Sequence, residues 1–297
     1  MVKFFYWPFF FLSVFISINS TNWIGVWLGM ELNLFSFIML SFYFNQYSSE
    51  CCLSYYLVQV ISSIFFVFFV FFIDFFYVNF ILFVMGVSVA SAPFHYWGVL
   101  VSGGFKDLSF YFFLTIQSLV PFYFSFNFFN LYLIYFFVFF SIFGILGSIN
   151  QVYLYQVLFY SSVGHMGWMF FSLFFSFFYF FLYLFVYSLN IFMFISSSFY
   201  NIIKVFVKGG FYIVFLFLSL GGMPPFFGFY MKWLIIVESY GDFILFFLIF
   251  GVMFNLYVYL RFIYSSINFF FLSWFSFFDY YYFYWFIFFF LFCFMYM

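Results

Sequence analysis

The chemistry open to this sequence starts with a lysine that follows a weak point in an apolar stretch. The stretch 216–238 is apolar enough to cross a membrane, and Lys232 lies in its second half. Two glycines and two prolines interrupt this stretch: Gly221, Gly222, Pro224 and Pro225. Because these residues weaken helical hydrogen bonding at one place, the sequence predicts a broken helix. In a bilayer the freed backbone groups need partners in protein or water, so a lysine beyond the break indicates an ion path.

Lys232 also has a plainer interpretation. The stretch could form a kinked helix whose lysine extends along apolar surface until its amine reaches the membrane boundary. We expect the amine to face a polar interior instead, because Lys232 lies about 12 Å along a helix from Pro224 and so is deep in the span.

A carboxylate lies in the middle of another apolar stretch. Glu31 is flanked by Met30 and Leu32 within the sequence WLGMELN. A charge at that depth costs a few kcal/mol on insertion scales, and nothing structural requires glutamate there. The position therefore favours a role in proton handling. The alternative is a protonated glutamic acid that is hydrogen-bonded to a neighbour.

Two histidines add further titratable groups. His165 lies about midway along a predicted span, with Ser161 and Ser162 one turn earlier. It is either a proton relay or a packed hydrogen-bonding group, and the sequence favours neither. His95 lies near the end of its span beside Tyr96, where a relay and an interfacial anchor are equally consistent with the pattern.

Two spans carry polar residues at helical spacing. In the third span these residues form one polar stripe: Tyr55, Gln59, Ser62 and Ser63. In the fifth span they give a polar and kinked middle: Gln117, Ser118 and Pro121.

The composition defines the elements that must position these residues. The chain is 70% hydrophobic and 4% charged, and apolar runs of about 20 residues recur throughout. The alternation typical of a membrane barrel is absent, so the sequence predicts an all-α integral membrane protein. It contains no basic patch, nucleotide fingerprint, metal-ligand spacing or nucleophile constellation, and its three cysteines have no metal-site spacing. We therefore expect no nucleic-acid partner, no metal and no redox chemistry in this chain.

We predict eleven transmembrane helices within one polytopic domain, 1–297, because the connections between apolar runs are short. The predicted spans are 4–18, 23–44, 53–73, 76–97, 108–126, 131–149, 153–173, 176–199, 211–237, 242–265 and 280–297.

The basic residues predict the orientation of these spans. With the N-terminus inside, five basic residues fall in inside connections or at inside helix ends: Lys3, Lys106, Lys204, Lys208 and Arg261. Three acidic residues mark outside ends: Asp74, Glu238 and Asp242. Basic residues concentrate on the inner side of membrane proteins, so we expect the N-terminus inside and the C-terminus outside.

A series of motifs in a fixed order resembles the family of mitochondrial NADH dehydrogenase subunit 2, a membrane-arm subunit of respiratory complex I. Together the motifs cover most of the chain. They are LGMELNLFSFI (28–38), SECCLSYYLVQ (49–59), APFHYW (92–97), QSLVP (117–121), INQVYLYQVLFYSSVGHMGWM (149–169), SLGGMPPFFGFYMKWLII (219–236) and NLYVYLRFIYS (255–265).

This resemblance implies an antiporter-like bundle with inverted repeats and discontinuous helices. It implies a part in proton translocation, driven by quinone reduction elsewhere in the complex. NADH, flavin, iron–sulfur clusters and ubiquinone would then belong to other subunits. The partners would be other membrane-arm subunits and the lipid bilayer of the mitochondrial inner membrane, with the N-terminus in the matrix and the C-terminus in the intermembrane space.

The resemblance also implies roles for individual residues. Glu31 matches the family's membrane carboxylate, and Lys232 matches the lysine of the broken helix near the outer half-channel. Ser88 and Ser118 stand where the family usually has lysines, so the proton path of this copy would include two serines instead. The alternative function is a structural subunit whose proton pumping is impaired or lost. A stand-alone cation/proton antiporter is a third and weaker candidate.

Overall fold

The computed structural model describes residues 2–42, 46–71, 77–105, 107–127, 131–201, 209–224, 226–239 and 242–271, and this part of the chain is helical without a strand. A short 3₁₀ helix, Ser148–Asn150, separates α8 from α9. The α-helices are α1 Val2–Asn19, α2 Trp23–Ser41, α3 Gln46–Phe71, α4 Tyr77–Ser88, α5 Tyr96–Ser102, α6 Asp107–Leu114, α7 Ile116–Asn127, α8 Leu131–Gly147, α9 Leu154–Phe175, α10 Phe177–Asn201, α11 Gly209–Gly221, α12 Phe227–Glu238 and α13 Ile244–Phe271.

The helices suit a bilayer because a helix satisfies its own backbone hydrogen bonds where no water is present. Within the described residues, six segments are individually long and apolar enough to cross a membrane. They are Trp23–Ser41, Gln46–Phe71, Asp107–Asn127, Leu154–Phe175, Phe177–Ser196 and Ile244–Tyr264. The all-α membrane fold predicted from the composition is therefore confirmed.

The predicted spans up to residue 265 each coincide with one helix or with a pair of consecutive helices. The last predicted span, 280–297, lies outside the described residues, so the count of eleven stays a prediction. Lys106, Lys204 and Lys208, on which the predicted orientation partly depends, also lie outside them.

Helix α9 lies at the centre of the bundle. It packs against α5, α8, α10, α12 and α13, and its side chains from Val157 to Leu173 are all buried. Gly164 allows one of these close contacts, because an added Cβ would lie 2.7 Å from the side chain of Ile145. A central helix of this kind can present His165 to several neighbours at once.

Aromatic side chains fill much of the core. Phe170 of α9, for example, packs against Phe122 at 4.6 Å and against Phe137 at 4.9 Å between ring centroids. Many other large apolar side chains are exposed on the outside of the bundle, including Phe15 and Phe71. An outer surface this apolar is suited to contact with lipid or with other membrane subunits.

Three of the spans are interrupted, and the interruptions agree only in part with the sequence. The break between α11 and α12 lies where the glycines and prolines predict it. In the fifth span the helix is interrupted at Thr115, and Pro121 lies inside α7. The fourth span, predicted as one run over 76–97, is divided at residues 89–95 into α4 and α5.

Candidate functional site

The break after α11 has a specific hydrogen-bonding pattern. The N–H of Gly222 donates to the carbonyl of Ser219 at 3.2 Å, and the N–H of Met223 donates to the carbonyl of Leu218 at 3.1 Å. Gly222 has a φ of 78°, in the left-handed region. This is the Schellman motif that ends many helices, and Pro224 follows at a position that cannot continue one. Pro225, the other predicted breaking residue, lies outside the described residues.

Lys232 completes this helix end from the first turns of α12. Its side chain is only 5% exposed, and Nζ donates to the carbonyls of Leu220 at 3.2 Å and Gly221 at 2.9 Å. The last carbonyls of a helix have no partner within it, and the negative end of the helix dipole favours a cation. The amine is therefore held inside the protein, on the carbonyls that the break exposes.

Gly222 is needed at this break for two reasons. Its backbone is in the left-handed region, which residues other than glycine adopt at a cost in free energy. An added Cβ would also lie 2.8 Å from Nζ and 2.9 Å from Cδ of Lys232, so the lysine would have to move.

The break after α4 ends in the same motif. The N–H of Ala90 donates to the carbonyl of Val87 at 3.1 Å, and the N–H of Ser91 donates to the carbonyl of Gly86 at 3.0 Å. Ala90 has a φ of 59° and occupies the place that Gly222 occupies at the other break. Two discontinuous helices of the fold thus share one way of ending.

Ser88, the first of the two serines at expected lysine positions, is the last residue of α4. Its hydroxyl donates to the carbonyl of Met85 in its own helix at 2.8 Å, and its carbonyl accepts from Nε2 of Gln59 in α3 at 2.9 Å. Ser118 is buried in α7 and donates to the carbonyl of Thr115 at 2.7 Å. Both serine hydroxyls are therefore bonded to the backbone of their own span.

Glu31 is half-buried on α2 and hydrogen-bonded to the hydroxyl of Ser63 on α3. Two residues along α2, Asn33 exchanges hydrogen bonds with Gln117 of α7 through their side-chain amides, at 2.9 and 3.3 Å. These contacts join α2 to α3 and to α7.

A polar cavity lies among α2, α3, α4 and α7. It offers about 30 Å³ to the centres of water molecules. Its polar lining comes from four helices: Asn33, Tyr55, Gln59, Ser62, Ser63, Ser88 and Gln117. A cavity holds a water when it offers roughly 10–15 Å³ and two to four polar partners, so this cavity can hold about two waters. Ser63, the partner of Glu31, is part of the lining.

His165 lies near the break between α11 and α12, which is the second of the two breaks in chain order. Its Nδ1 lies 2.7 Å from the hydroxyl of Tyr183 on α10, and its ring centroid lies 5.0 Å from that of Tyr187. Nε2 is buried and has no hydrogen-bond partner among the described residues. Lys232 lies within electrostatic range of the imidazole. The structure thus brings together Lys232 and His165, which are distant in the sequence.

A second, smaller cavity adjoins His165, among α9, α10, α11 and α12. It offers about 10 Å³ to water centres, and its lining includes Tyr187, Asn190 and Ser219. By the same criterion it has room for about one water. His95, by contrast, stands apart from both cavities as the residue before α5, half-buried with its ring 5.7 Å from that of Tyr160.

Sequence reasoning missed the roles of two residues at these sites. Gln59 appeared only as part of a polar stripe, and Tyr183 was not singled out at all. The spacing of Tyr183, Tyr187 and Asn190 along one helix could have indicated a polar face directed at the bundle interior.

Comparisons with known proteins identify the family. NADH-ubiquinone oxidoreductase chain 2 of Aedes aegypti is 33% identical over 279 residues, which cover 84% of this chain and 81% of the relative. Its counterpart from Anopheles gambiae is 30% identical over the same shares of the two chains. No protein-family model matches the sequence.

Solved structures agree on the fold. A chain of respiratory complex I from Thermus thermophilus superposes with a TM-score of 0.75 and 19% identity, covering 85% of this chain and 67% of that one. A chain of the Mrp complex from Dietzia also gives a TM-score of 0.75 at 13% identity, but this chain spans only 59% of its length. With the close relatives matched over most of their length, the chain belongs to the NADH-ubiquinone oxidoreductase chain 2 family and is a multi-pass inner-membrane subunit of respiratory complex I.

Proposed function

We propose that this chain takes part in proton translocation across the mitochondrial inner membrane, coupled to quinone reduction elsewhere in complex I. The observation that supports the proposal most strongly is the buried amine of Lys232, bound to two carbonyls at a helix break. A buried ionisable group inside a membrane span is costly, and such groups typically mark ion pathways.

Lys232 would hold and release the proton. When charged, the amine is stabilised by the carbonyls of Leu220 and Gly221 and by the negative end of the α11 dipole. When it loses a proton, these charge-assisted hydrogen bonds weaken. His165 lies within electrostatic range of Lys232 and lines the adjoining cavity, and its imidazole would take up or release a proton there.

Glu31 would act beside the larger cavity, to which Ser63 connects it. Its carboxyl can accept a proton through Ser63 and the waters of the larger cavity. Ser88 lines that cavity and Ser118 lies in α7, but neither hydroxyl can store a positive charge as lysine does.

We further propose the orientation and surroundings of the chain. The N-terminus would lie in the matrix and the C-terminus in the intermembrane space. This orientation places five of the six basic residues on the matrix side of the membrane. Other membrane-arm subunits and lipid would cover the apolar outer surface. NADH, flavin, iron–sulfur clusters and ubiquinone would be held by other subunits.

The test is Lys232→Met in the intact complex, reconstituted into vesicles. Methionine keeps most of the length and apolar bulk of lysine but removes the charge and the donors. We expect fewer protons translocated per NADH oxidised, while the complex still assembles. Tyr230→Phe, at a neighbouring exposed position on the same helix, is the matched control.

An unchanged ratio of protons to NADH in Lys232→Met would overturn the proposal. That outcome would support the alternative function, in which the chain holds the membrane arm together with pumping impaired or lost at Ser88 and Ser118. Recovery of the chain outside NADH-oxidising complexes would count against both.

A further inference from the structure

The two broken helices can be aligned position by position, because both end in the same motif. Ala90 corresponds to Gly222, the left-handed residue of each motif. Two positions earlier along each helix, Ser88 therefore corresponds to Leu220. The carbonyls of these two residues are equivalent acceptors at the ends of α4 and α11.

These equivalent carbonyls have different donors. The carbonyl of Leu220 accepts from Nζ of Lys232 at 3.2 Å. The carbonyl of Ser88 accepts from Nε2 of Gln59 at 2.9 Å. Gln59 thus makes, from the neighbouring helix α3, the hydrogen bond that Lys232 makes from α12.

Three carbonyls that precede Ser88 at the end of α4 already have partners. The carbonyl of Met85 accepts from the N–H of Val89 at 3.1 Å, and that of Gly86 accepts from Ser91. The carbonyl of Val87 accepts from the indole of Trp97 at 3.2 Å, in addition to a backbone N–H. None of these groups donates to the carbonyl of Ser88, and Gln59 supplies its donor. Without Gln59 that carbonyl would lose its side-chain partner.

Gln59 also lines the polar cavity, together with Ser63. The same side chain therefore touches the end of α4 and the space that leads through Ser63 to Glu31. The bond from Gln59 therefore fixes the part of α4 that lines this space at Ser88.

We propose that Gln59 is a positioning residue for proton transfer at Glu31. At the break after α4 it takes, as a neutral donor, the place that Lys232 takes at the break after α11. It orients the end of α4 so that the cavity keeps a continuous hydrogen-bonded route to Ser63. This inference rests on the proposed function of the chain, but it makes a separate statement about the environment of Glu31.

The test compares two variants in the intact complex. Gln59→Met removes the donor at nearly constant size, and Tyr56→Phe, at an exposed position on the same helix, leaves the bond from Gln59 in place as the control. The first readout is the number of protons translocated per NADH oxidised. The second is the infrared carboxyl band of Glu31, identified by its loss in Glu31→Gln, which does not require the chain to pump.

Gln59→Met is expected to shift the Glu31 band and to lower the ratio of protons to NADH in assembled complex, whereas Tyr56→Phe leaves both at the parent's values. A merely structural role would lower the yield of assembled complex and leave the band unmoved, and that result overturns the inference. If Lys232→Met leaves the ratio unchanged, the proposed function fails, and the Glu31 band alone decides the role of Gln59. A band shifted equally by both variants would also overturn the inference, since the donor would then not matter.

Discussion

The breaks in the fourth and ninth spans solve the same backbone problem with different side chains. Each helix ends in a Schellman motif and leaves carbonyls that its own turn cannot satisfy. At the end of α4 the added donors are the neutral groups of Ser91, Trp97 and Gln59, drawn from two regions of the chain. At the end of α11 one amine, that of Lys232, serves two carbonyls.

This difference separates relaying a proton from storing charge. Amide, hydroxyl and indole groups donate hydrogen bonds without changing charge under ordinary conditions, so the first break can support a relay only. An amine can be charged or neutral, and a bond to a charged donor is about twice as strong as a neutral one. The free energy of the second break therefore differs between the charged and the neutral form of Lys232, as a pumping element requires.

The left-handed residue of each motif differs for a related reason. Gly222 has the side chain of Lys232 lying over it, which leaves no room for a Cβ. Ala90, at the equivalent place, carries its methyl group at a φ of 59°. A left-handed alanine costs about 1 kcal/mol, so the break in the fourth span carries some strain that the other avoids.

The largest effect is expected from Gly222→Ala, which removes this distinction. The added Cβ meets both the left-handed backbone and Lys232, so we expect a loss of about 1–2 kcal/mol in stability together with displacement of the amine. Proton translocation per NADH should fall nearly as far as in Lys232→Met. Thermal denaturation of the complex and vesicle assays would measure the two effects.

Ala90→Gly is the matched control for Gly222→Ala. It relieves the left-handed alanine and touches no charged group, so the complex should be as stable as the parent or slightly more so. Equal losses of translocation in the two variants would mean that the breaks are functionally alike and that Lys232 is not what distinguishes them.

A smaller effect is expected from Tyr183→Phe, which sharpens the comparison by isolating His165. The variant removes the hydroxyl that pairs with Nδ1 and leaves a buried ring nitrogen without its partner, but it does not displace Lys232, so its effect on translocation is smaller. The imidazole should then turn more freely, and translocation should slow while Lys232 stays in place. Tyr187→Phe is a useful companion, because Tyr187 packs on the same ring without bonding to it.

For Tyr183→Phe the decisive readout is the rate of translocation at a fixed rate of NADH oxidation. If both tyrosine variants behave like the parent, His165 is a packed side chain, the second of the two interpretations that the sequence left open.

The sequence predicted the second break far better than the first. At the second break, two glycines and two prolines concentrate in a short stretch of helix, and each has a known effect on helical hydrogen bonding. At the first break, Pro93 is the main local signal, and the residue that turns the chain is an alanine. Since alanine favours helices, its left-handed conformation is set by tertiary contacts that local sequence does not encode.

The partners of site residues were likewise beyond sequence reasoning. Glu31 and Lys232 could be singled out because charge inside a membrane span is rare. The bond from Gln59 to the carbonyl of Ser88 could not, because a backbone acceptor has no residue-specific signature and the two positions lie on different helices. The pairing of His165 with Tyr183 depends in the same way on how α9 and α10 pack.

The smallest effect on translocation is expected from Ser88→Lys. This variant would place an amine at the break after α4 and make the two helix ends chemically alike. The carbonyl of Ser88 already accepts from Gln59, and the hydroxyl of Ser88 bonds only to its own helix at Met85. A new lysine would therefore extend into the polar cavity, where the oxygens of Ser63 and Gln117 can accept from it. We expect the complex to assemble and to translocate about as many protons per NADH as the parent, because the cavity has room for about two waters that would connect these groups without the lysine. Ser88→Met, of similar size but without charge, should assemble less well, since it fills the cavity and leaves its polar lining unpaired.

A clear gain in translocation by Ser88→Lys alone would reverse this expectation. It would mean that a neutral first break limits the chain, and it would favour the alternative in which pumping is impaired by the missing lysines.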